Sequence, residues 1–123
     1  MASQVFLDDD GYIHSTYDGP QTAATVTGMA DDAVRLCNQL RQQQRPVLLL
    51  IDAAGVSGQD AGARQAGFEL LRNLDYDRAA AFGASPFLRA VINLVIRATG
   101  RADHIKYCDS EAEAKAYLRQ EAS

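Results

Sequence analysis

The sequence predicts an α/β fold with the element order β-β-α-β-α-β-α-β-α, a mostly parallel mixed sheet with an antiparallel edge strand, and a helix-covered core. Three observations carry this expectation. Val47-Leu48-Leu49-Leu50-Ile51 is apolar on both faces, as in a strand inside a sheet with helices on either side. Segments of helical periodicity alternate with short apolar runs after the first hairpin, which calls for parallel strands joined by crossover helices. The first two strand-like runs are separated only by Asp8-Asp9-Asp10-Gly11, a turn signal, so the first strand should be the antiparallel edge.

Taken in order, Ser3 to Asp8 reads as a short strand and Tyr12 to Tyr17 as its hairpin partner, alternating aromatic, aliphatic and polar residues. Asp18-Gly19-Pro20 then breaks the chain. A long helix follows, with Val26, Ala30, Ala33/Val34, Cys37 and Leu40 recurring every three or four residues as one apolar stripe. Gly28 is a point where it divides if it divides at all, and Pro46 stops it after the polar tail Arg41 to Arg45. The central strand Val47 to Ile51 ends at Asp52, and Ala53 to Gln59 reads as a loop of small residues. A second helix spans about Asp60 to Asn73, with Ala66, Leu70, Leu71 and Leu74 facing inward, and Arg78 to Gly83 is another short strand. Ser85-Pro86 places a cap residue and then a first-turn proline, opening a third helix that runs to Ala98 and ends at Gly100. His104 to Tyr107 is the last strand, and Asp109 or Ser110 caps a final helix from Glu111 to Glu121.

The 123 residues fit one domain, 1–123, with no internal repeat or linker. The formal charge of −4 and the lack of any Lys/Arg run argue against a nucleic-acid partner. The start Met1-Ala2-Ser3-Gln4 lacks a basic, apolar leader, and the longest apolar run is far too short to span a bilayer. The expected location is cytoplasmic, peripheral to the membrane if a lipid surface is bound. Cys37 and Cys108 stand alone, without metal or redox spacing, and read as reduced packing residues. No metal or other cofactor is implied.

The segment Leu48-Leu49-Leu50-Ile51-Asp52-Ala53-Ala54-Gly55-Val56, taken with the element order, resembles the STAS domain of anti-sigma-factor antagonists. The chain is closer still to the SpoIIAA-like family. The stretches that carry this are Leu71 to Ala80 (LRNLDYDRAA), Ser85-Pro86-Phe87-Leu88-Arg89, and Asp109 to Leu118 (DSEAEAKAYL). The similarity covers nearly the whole chain but is made of patterning rather than a catalytic motif. The resemblance implies a fold more than a function, and it implies two functions.

Antagonists of this kind carry Asp-Ser-Ser-Gly where the helix after the central strand begins. A partner kinase phosphorylates a serine there, placing negative charge at free helix N–H groups and altering the docking surface. Here the matching stretch is Asp60-Ala61-Gly62, with no hydroxyl at either serine position. Ser57 lies upstream, out of register. The implied protein–protein regulator would dock through Ser57, Gly58, Asp60, Ala61 and Gly62, without the phosphorylation switch. The SpoIIAA-like family instead implies binding of apolar ligands or association with membranes.

The third helix can be weighed without the family. On a wheel of about 100° per residue, Arg89, Asn93 and Arg97 share an arc of about 80° and every other position from Phe87 to Arg97 is apolar. Phe87, Val91, Leu94 and Val95 suffice for a sheet-facing stripe, which leaves Leu88, Ile92 and Ile96 as a surplus row. Three fates are open to that row: cover by the neighbouring second helix, self-association into a homodimer or contact with a protein partner, or a lipid-like ligand or membrane surface. Arg89, Arg97 and Arg101 flank it and suit anionic head groups, or else form an ordinary solvated face.

Other features read more simply. Gly55, Gly58 and Gly62 follow a central strand, where open α/β sheets bind ligands, but their spacing matches neither a dinucleotide fingerprint nor a P-loop. Asp8, Asp9 and Asp10 lack the spaced ligands of a cation loop, and Asp75 and Asp77 bracket Tyr76 in what reads as a turn or cap. His14 and His104 have no accompanying nucleophile motif, and Tyr12 and Tyr17 read as packing residues. The expectation is a non-enzymatic binding module for an apolar ligand or membrane surface. Its surface would be Phe87, Leu88, Arg89, Val91, Ile92, Val95, Ile96 and Arg97, and the alternative is the protein–protein regulator.

Overall fold

A computed structural model describes residues 3–120. In chain order these form β1 (Gln4–Leu7), β2 (Ile13–Gln21), α1 (Ala23–Gln42), β3 (Leu48–Gln59), α2 (Ala61–Asn73), β4 (Arg78–Phe82), α3 (Pro86–Ala98), β5 (Ile105–Tyr107) and α4 (Glu111–Arg119). The order is the one expected. The sheet runs β1-β2-β3-β4-β5, with β1 antiparallel to β2 and every later pair parallel. The expected end of the last helix at Glu121 lies outside the described residues, and Ser110, not Asp109, caps that helix.

Two elements are longer than the sequence suggests. β2 continues through Asp18-Gly19-Pro20 to Gln21, and β3 continues through Ala53 to Gln59, where a break and a loop were expected. The two extensions pair with each other, Asp18 with Gly55, Gly19 with Val56 and Pro20 with Gly58. Local composition misleads here because the irregular residues sit at shifts in register, where the ladder is interrupted and a missing N–H costs little. Gly55 is required by close approach: a Cβ there would lie 2.6 Å from Asp18 Oδ1 and 2.9 Å from the Tyr17 carbonyl. β4 follows β3 only as far as the Asp52–Phe82 pair, so among the described residues Ala53–Gln59 has no strand on that side.

The helices cover the sheet unequally. Ile13, Leu49, Ala79 and Ile105 point to one face, which packs on α1, α2 and α3 through Ala33, Leu36, Leu40, Leu70, Leu71 and Ile96. Tyr12, Leu50, Ala80 and Phe82 point to the other, covered by α4 through Ala114 and Leu118. Leu49 and Leu50 are both fully buried, as a doubly covered central strand requires. The two thiols are buried on opposite sides, Cys37 in the first cluster and Cys108 in the second. The inward stripe of α1 is Val26, Met29, Ala33, Leu36, Cys37 and Leu40, while Val34 is 45% exposed. Gly28 leaves this helix undivided, and Thr22 opens it with a reciprocal cap to Thr25.

Polar residues tie these layers at the turns. Asp8 Oδ1 accepts the N–H groups of Asp10 and Tyr12, both at 2.9 Å, which makes the acidic run a turn. Asp77 accepts the buried Val47 N–H at 2.8 Å and two hydrogen bonds from Arg41, which also reaches Asp75. This bracket joins the end of α1 to the starts of β3 and β4. Partial burial pushes the Asp77 carboxyl up, but the Arg41 and Val47 hydrogen bonds outweigh it and hold the group below its ordinary value.

Two outcomes follow for stability. Leu49→Ala should cost about 2–5 kcal/mol in denaturant unfolding, since it opens a hole in the central strand. Asp77→Ala orphans the buried Val47 N–H and should cost about 1–3 kcal/mol at neutral pH. Because the folded carboxyl is held low, its stabilisation is present above the unfolded value near about 3.9 and disappears as pH falls through the folded one. An acid titration of unfolding should therefore show a shallower loss below about pH 4 in the variant than in the parent.

Candidate functional site

The feature that organises the candidate site is a cavity of about 140 Å³ under α3. It lies where β3 outruns β4: Ile51, Ala53, Val56 and Gln59 form its floor with Ala81, while Gly67, Leu70 and Leu71 of α2 and the inner side of α3 close over it. Ser85 caps α3 by accepting the Leu88 N–H, and Pro86 occupies its first turn, so the sequence sets where this helix begins.

The direction in which α3 faces differs from expectation. Leu88, Ile92 and Ile96, read as the surplus row, point inward, and Ile96 is 5% exposed. Val91 and Val95 line the cavity beside them. Phe87 and Leu94, assigned to the sheet-facing stripe, turn outward and are 71% and 62% exposed. The wheel gives the angles between residues correctly, but the side that meets the sheet depends on how α3 is tethered to β4 and β5, which no periodicity encodes. Of the expected surface residues, Leu88, Val91, Ile92, Val95 and Ile96 thus share the cavity, and Phe87, Arg89 and Arg97 lie on the exposed side.

The arginines are also differently employed. Arg101 donates to the carbonyls of Leu74 at 2.7 Å and of Leu71 and Arg72 at 3.3 Å, and to Tyr76 O at 3.0 Å. Its guanidinium lies over the Tyr76 ring at 3.9 Å. It therefore closes the carboxyl end of α2, where unpaired carbonyls collect. It is not a flanking residue for head groups. Arg89 pairs with Asp109 at 3.0 Å and lies over Tyr107 at 5.0 Å. A three-arginine patch beside an apolar row is not formed.

At the amino end of α2, Asp60 accepts the Ala63 N–H at 2.8 Å and serves as the helix cap. Ser57 and Gly58 belong to the exposed outer end of β3 rather than to a loop, Ala61 is exposed, and Gly62 is half-buried against Ala23. Gly55 and Gly58 thus lie within a strand and Gly62 in a helix, and these three do not form a ligand-cradling turn.

Four of the lining residues carry polar groups, Tyr17, Gln21, Gln59 and Arg64, but the cavity surface itself is almost wholly apolar. Tyr17 shares a buried cluster with Val26 and Ala63. Gln21 is saturated: its amide donates to the Asp18 and Gly19 carbonyls and its oxygen accepts from Thr25. Tyr17 lines the cavity beside it and is 9% exposed, and among the described residues no buried side-chain N or O atom lacks a hydrogen-bond partner. Burial pushes the Tyr17 phenol up to about 12. Sequence reasoning placed Tyr17 in the packing and missed Gly67, because a void between elements leaves no periodic signal.

The histidines lie apart. His14 on β2 stacks on Phe6 and meets Asp8 at 3.3 Å, whereas exposed His104 precedes β5, three strand spacings or about 14 Å across the sheet. Among the described residues no helix is long and apolar enough to cross a membrane.

No protein-family model matches the sequence, and no curated protein matches it. Solved structures do. The anti-sigma factor antagonist SpoIIAA in its unphosphorylated form superposes with a TM-score of 0.68 at 15% identity, covering 98% of this chain and 100% of that one. An uncharacterized protein of the DUF3478 family with a SpoIIAA-like fold, from Shewanella loihica PV-4, gives 0.63 at 18% identity, covering 95% of this chain and 92% of that one. The chain has the SpoIIAA-like fold.

Proposed function

We propose that this protein is a non-enzymatic binding module whose ligand is a small apolar molecule held between α2, α3 and the outer half of β3. The observation that carries this is the cavity itself: about 140 Å³, lined almost wholly by aliphatic side chains. An apolar void of about 150 Å³ is enough for a benzene-sized guest, so the size favours a compact ligand over a whole long acyl chain. Ligand release through the gap between two crossover helices needs only local movement of α3, whose outer face is solvated.

A second reading has its own support. The shared fold with an anti-sigma factor antagonist favours a protein–protein regulator, and exposed Phe87 and Leu94 supply apolar anchors on α3 of the kind that interfaces use. Asp60-Ala61-Gly62 offers no hydroxyl, so such a regulator would work without a phosphoserine at that site. Both readings place the working surface on α3, one on its inner side and one on its outer side.

Gly67 separates them. A Cβ at this position meets nothing within 4 Å and faces the cavity, so Gly67→Leu should fill the space and raise the melting temperature. Thermal-shift titration with toluene should stabilise the parent and leave Gly67→Leu unmoved. A parent that shows no shift at saturating toluene would count against the small-ligand reading and leave the regulator.

A further inference from the structure

The outer side of the α2–α3 pair carries the regulator reading one step further, to the chemistry of the partner. An open groove of about 450 Å³ runs between the two helices, with Ala61, Arg64 and Phe68 of α2 on one wall and Leu94, Val95 and Ala98 of α3 on the other. The α2 residues recur at three- and four-residue spacing, so a single stripe of that helix borders the groove. On α3, Phe87 lies seven residues before Leu94 and so on the same side, about 10 Å back along the axis. These two are the most exposed large apolar side chains among the described residues. One such residue alone is ordinary, but two aligned beside an apolar groove form a patch. Charge is distributed unevenly around it. Together α2 and α3 hold four arginines and one glutamate, within a chain whose formal charge is −4. Glu69 stands on the α1 side of α2, outside this groove, and accepts from Gln65. Arg89 is taken by Asp109. The other three are exposed: Arg64 donates to the Gln59 amide oxygen, Arg72 lies over the Phe68 ring at 5.8 Å, and Arg97 stands one turn beyond Leu94. Among the described residues no carboxylate pairs with any of these three.

We propose that this groove docks an acidic amphipathic helix of a partner protein. Its apolar residues meet Phe68, Phe87 and Leu94, and its carboxylates meet Arg64, Arg72 and Arg97. Guanidiniums suit that role because their planar forks pair with carboxylates through two hydrogen bonds. The groove favours a helix over a membrane because its apolar floor is recessed. Phe68 and Val95 are half-buried between α2 and α3, where a peptide side chain reaches and a flat lipid surface does not. A second copy of this chain offers no such helix among the described residues: α4 carries Glu111 and Glu113 but buries Ala114 and Leu118, and on α1 Val34 is the lone exposed large apolar residue. The proposal rests on the regulator reading and is independent of any guest in the cavity beneath α3.

Fluorescence anisotropy of two labelled synthetic helices titrated with the full chain tests this, beside co-sedimentation with vesicles of phosphatidylcholine and phosphatidylserine. One peptide of about 18 residues has leucine every three or four positions and glutamate elsewhere, and the other has lysine for each glutamate. The glutamate peptide should bind the parent about tenfold or more tightly than the lysine peptide, and the difference should shrink as salt rises. Phe87→Ser and Leu94→Ser should each weaken it about tenfold. Arg64→Gln, Arg72→Gln and Arg97→Gln should each weaken it about threefold, and the triple variant should lose the preference for glutamate. Gly67→Leu, on the inner side, should leave binding within about twofold. Circular dichroism and melting curves establish that each variant is folded. Equal affinity for the two peptides, still weakened by Phe87→Ser and Leu94→Ser, would overturn the acidic partner and leave the regulator reading standing. Glutamate-peptide binding untouched by Phe87→Ser and Leu94→Ser would overturn the groove. Vesicle binding that is lost in Leu94→Ser, with neither peptide bound, would overturn the helix in favour of a lipid surface. Failure of peptides and vesicles alike to bind the folded parent would overturn this proposal together with the outer face of α3 as a regulator's docking surface.

Discussion

The structure depends on a mismatch in strand length. β3 is paired on both edges from Leu48 to Asp52 and then continues to Gln59 with β2 alone. Its inner half behaves as the centre of a parallel sheet, fully apolar and covered on both faces. Its outer half has a paired edge and an unstranded one, and α2 and α3 must bridge from the short β4 to this longer floor. Helices on a sheet pack by interlocking side chains over strands of similar extent. Where the floor widens by half a strand, the two helices cannot both stay close to it and to each other. The cavity is the space this leaves.

That origin explains which parts of the fold were legible in the sequence. The helices α1 to α4 and the strands β4 and β5 follow from apolar spacing, Ser85-Pro86, Pro46 and the polar tails, because each signal acts within its own element. The outer halves of β2 and β3 were not legible. Gly19, Pro20, Gly55 and Gly58 punctuate a chain when read locally, yet in the fold they sit in paired strands whose register shifts accommodate them. Gly55 illustrates the point: its lack of a side chain is a demand of Asp18 and Tyr17 on the neighbouring strand, not of a turn. The orientation of α3 was illegible for a related reason. A helix apolar on most of its circumference gives no preference among its faces until the sheet and α2 are in place.

The cationic groups make a parallel case. Arg41, Arg89 and Arg101 look in sequence like a solvated or ligand-facing set, but they hold Asp75 and Asp77, Asp109, and the last carbonyls of α2. Arginine suits this work because one planar fork reaches several oxygens at once. Among the cavity-lining residues Arg64 is the guanidinium, exposed and donating to the Gln59 amide oxygen across the start of α2.

The placement of the two thiols has a practical consequence. Cys37 sits on the inner face of α1, its thiol donating to the Asp75 carbonyl at 2.9 Å, and Cys108 sits on the opposite face of the sheet beneath α4. Burial pushes both thiols up from their ordinary values, so neither reacts readily until its cover lifts. Each layer of the molecule thereby carries its own chemical clock. The rate at which an alkylating reagent reaches one sulfur reports the breathing of the three-helix side, and the rate at the other reports the departure of α4 alone.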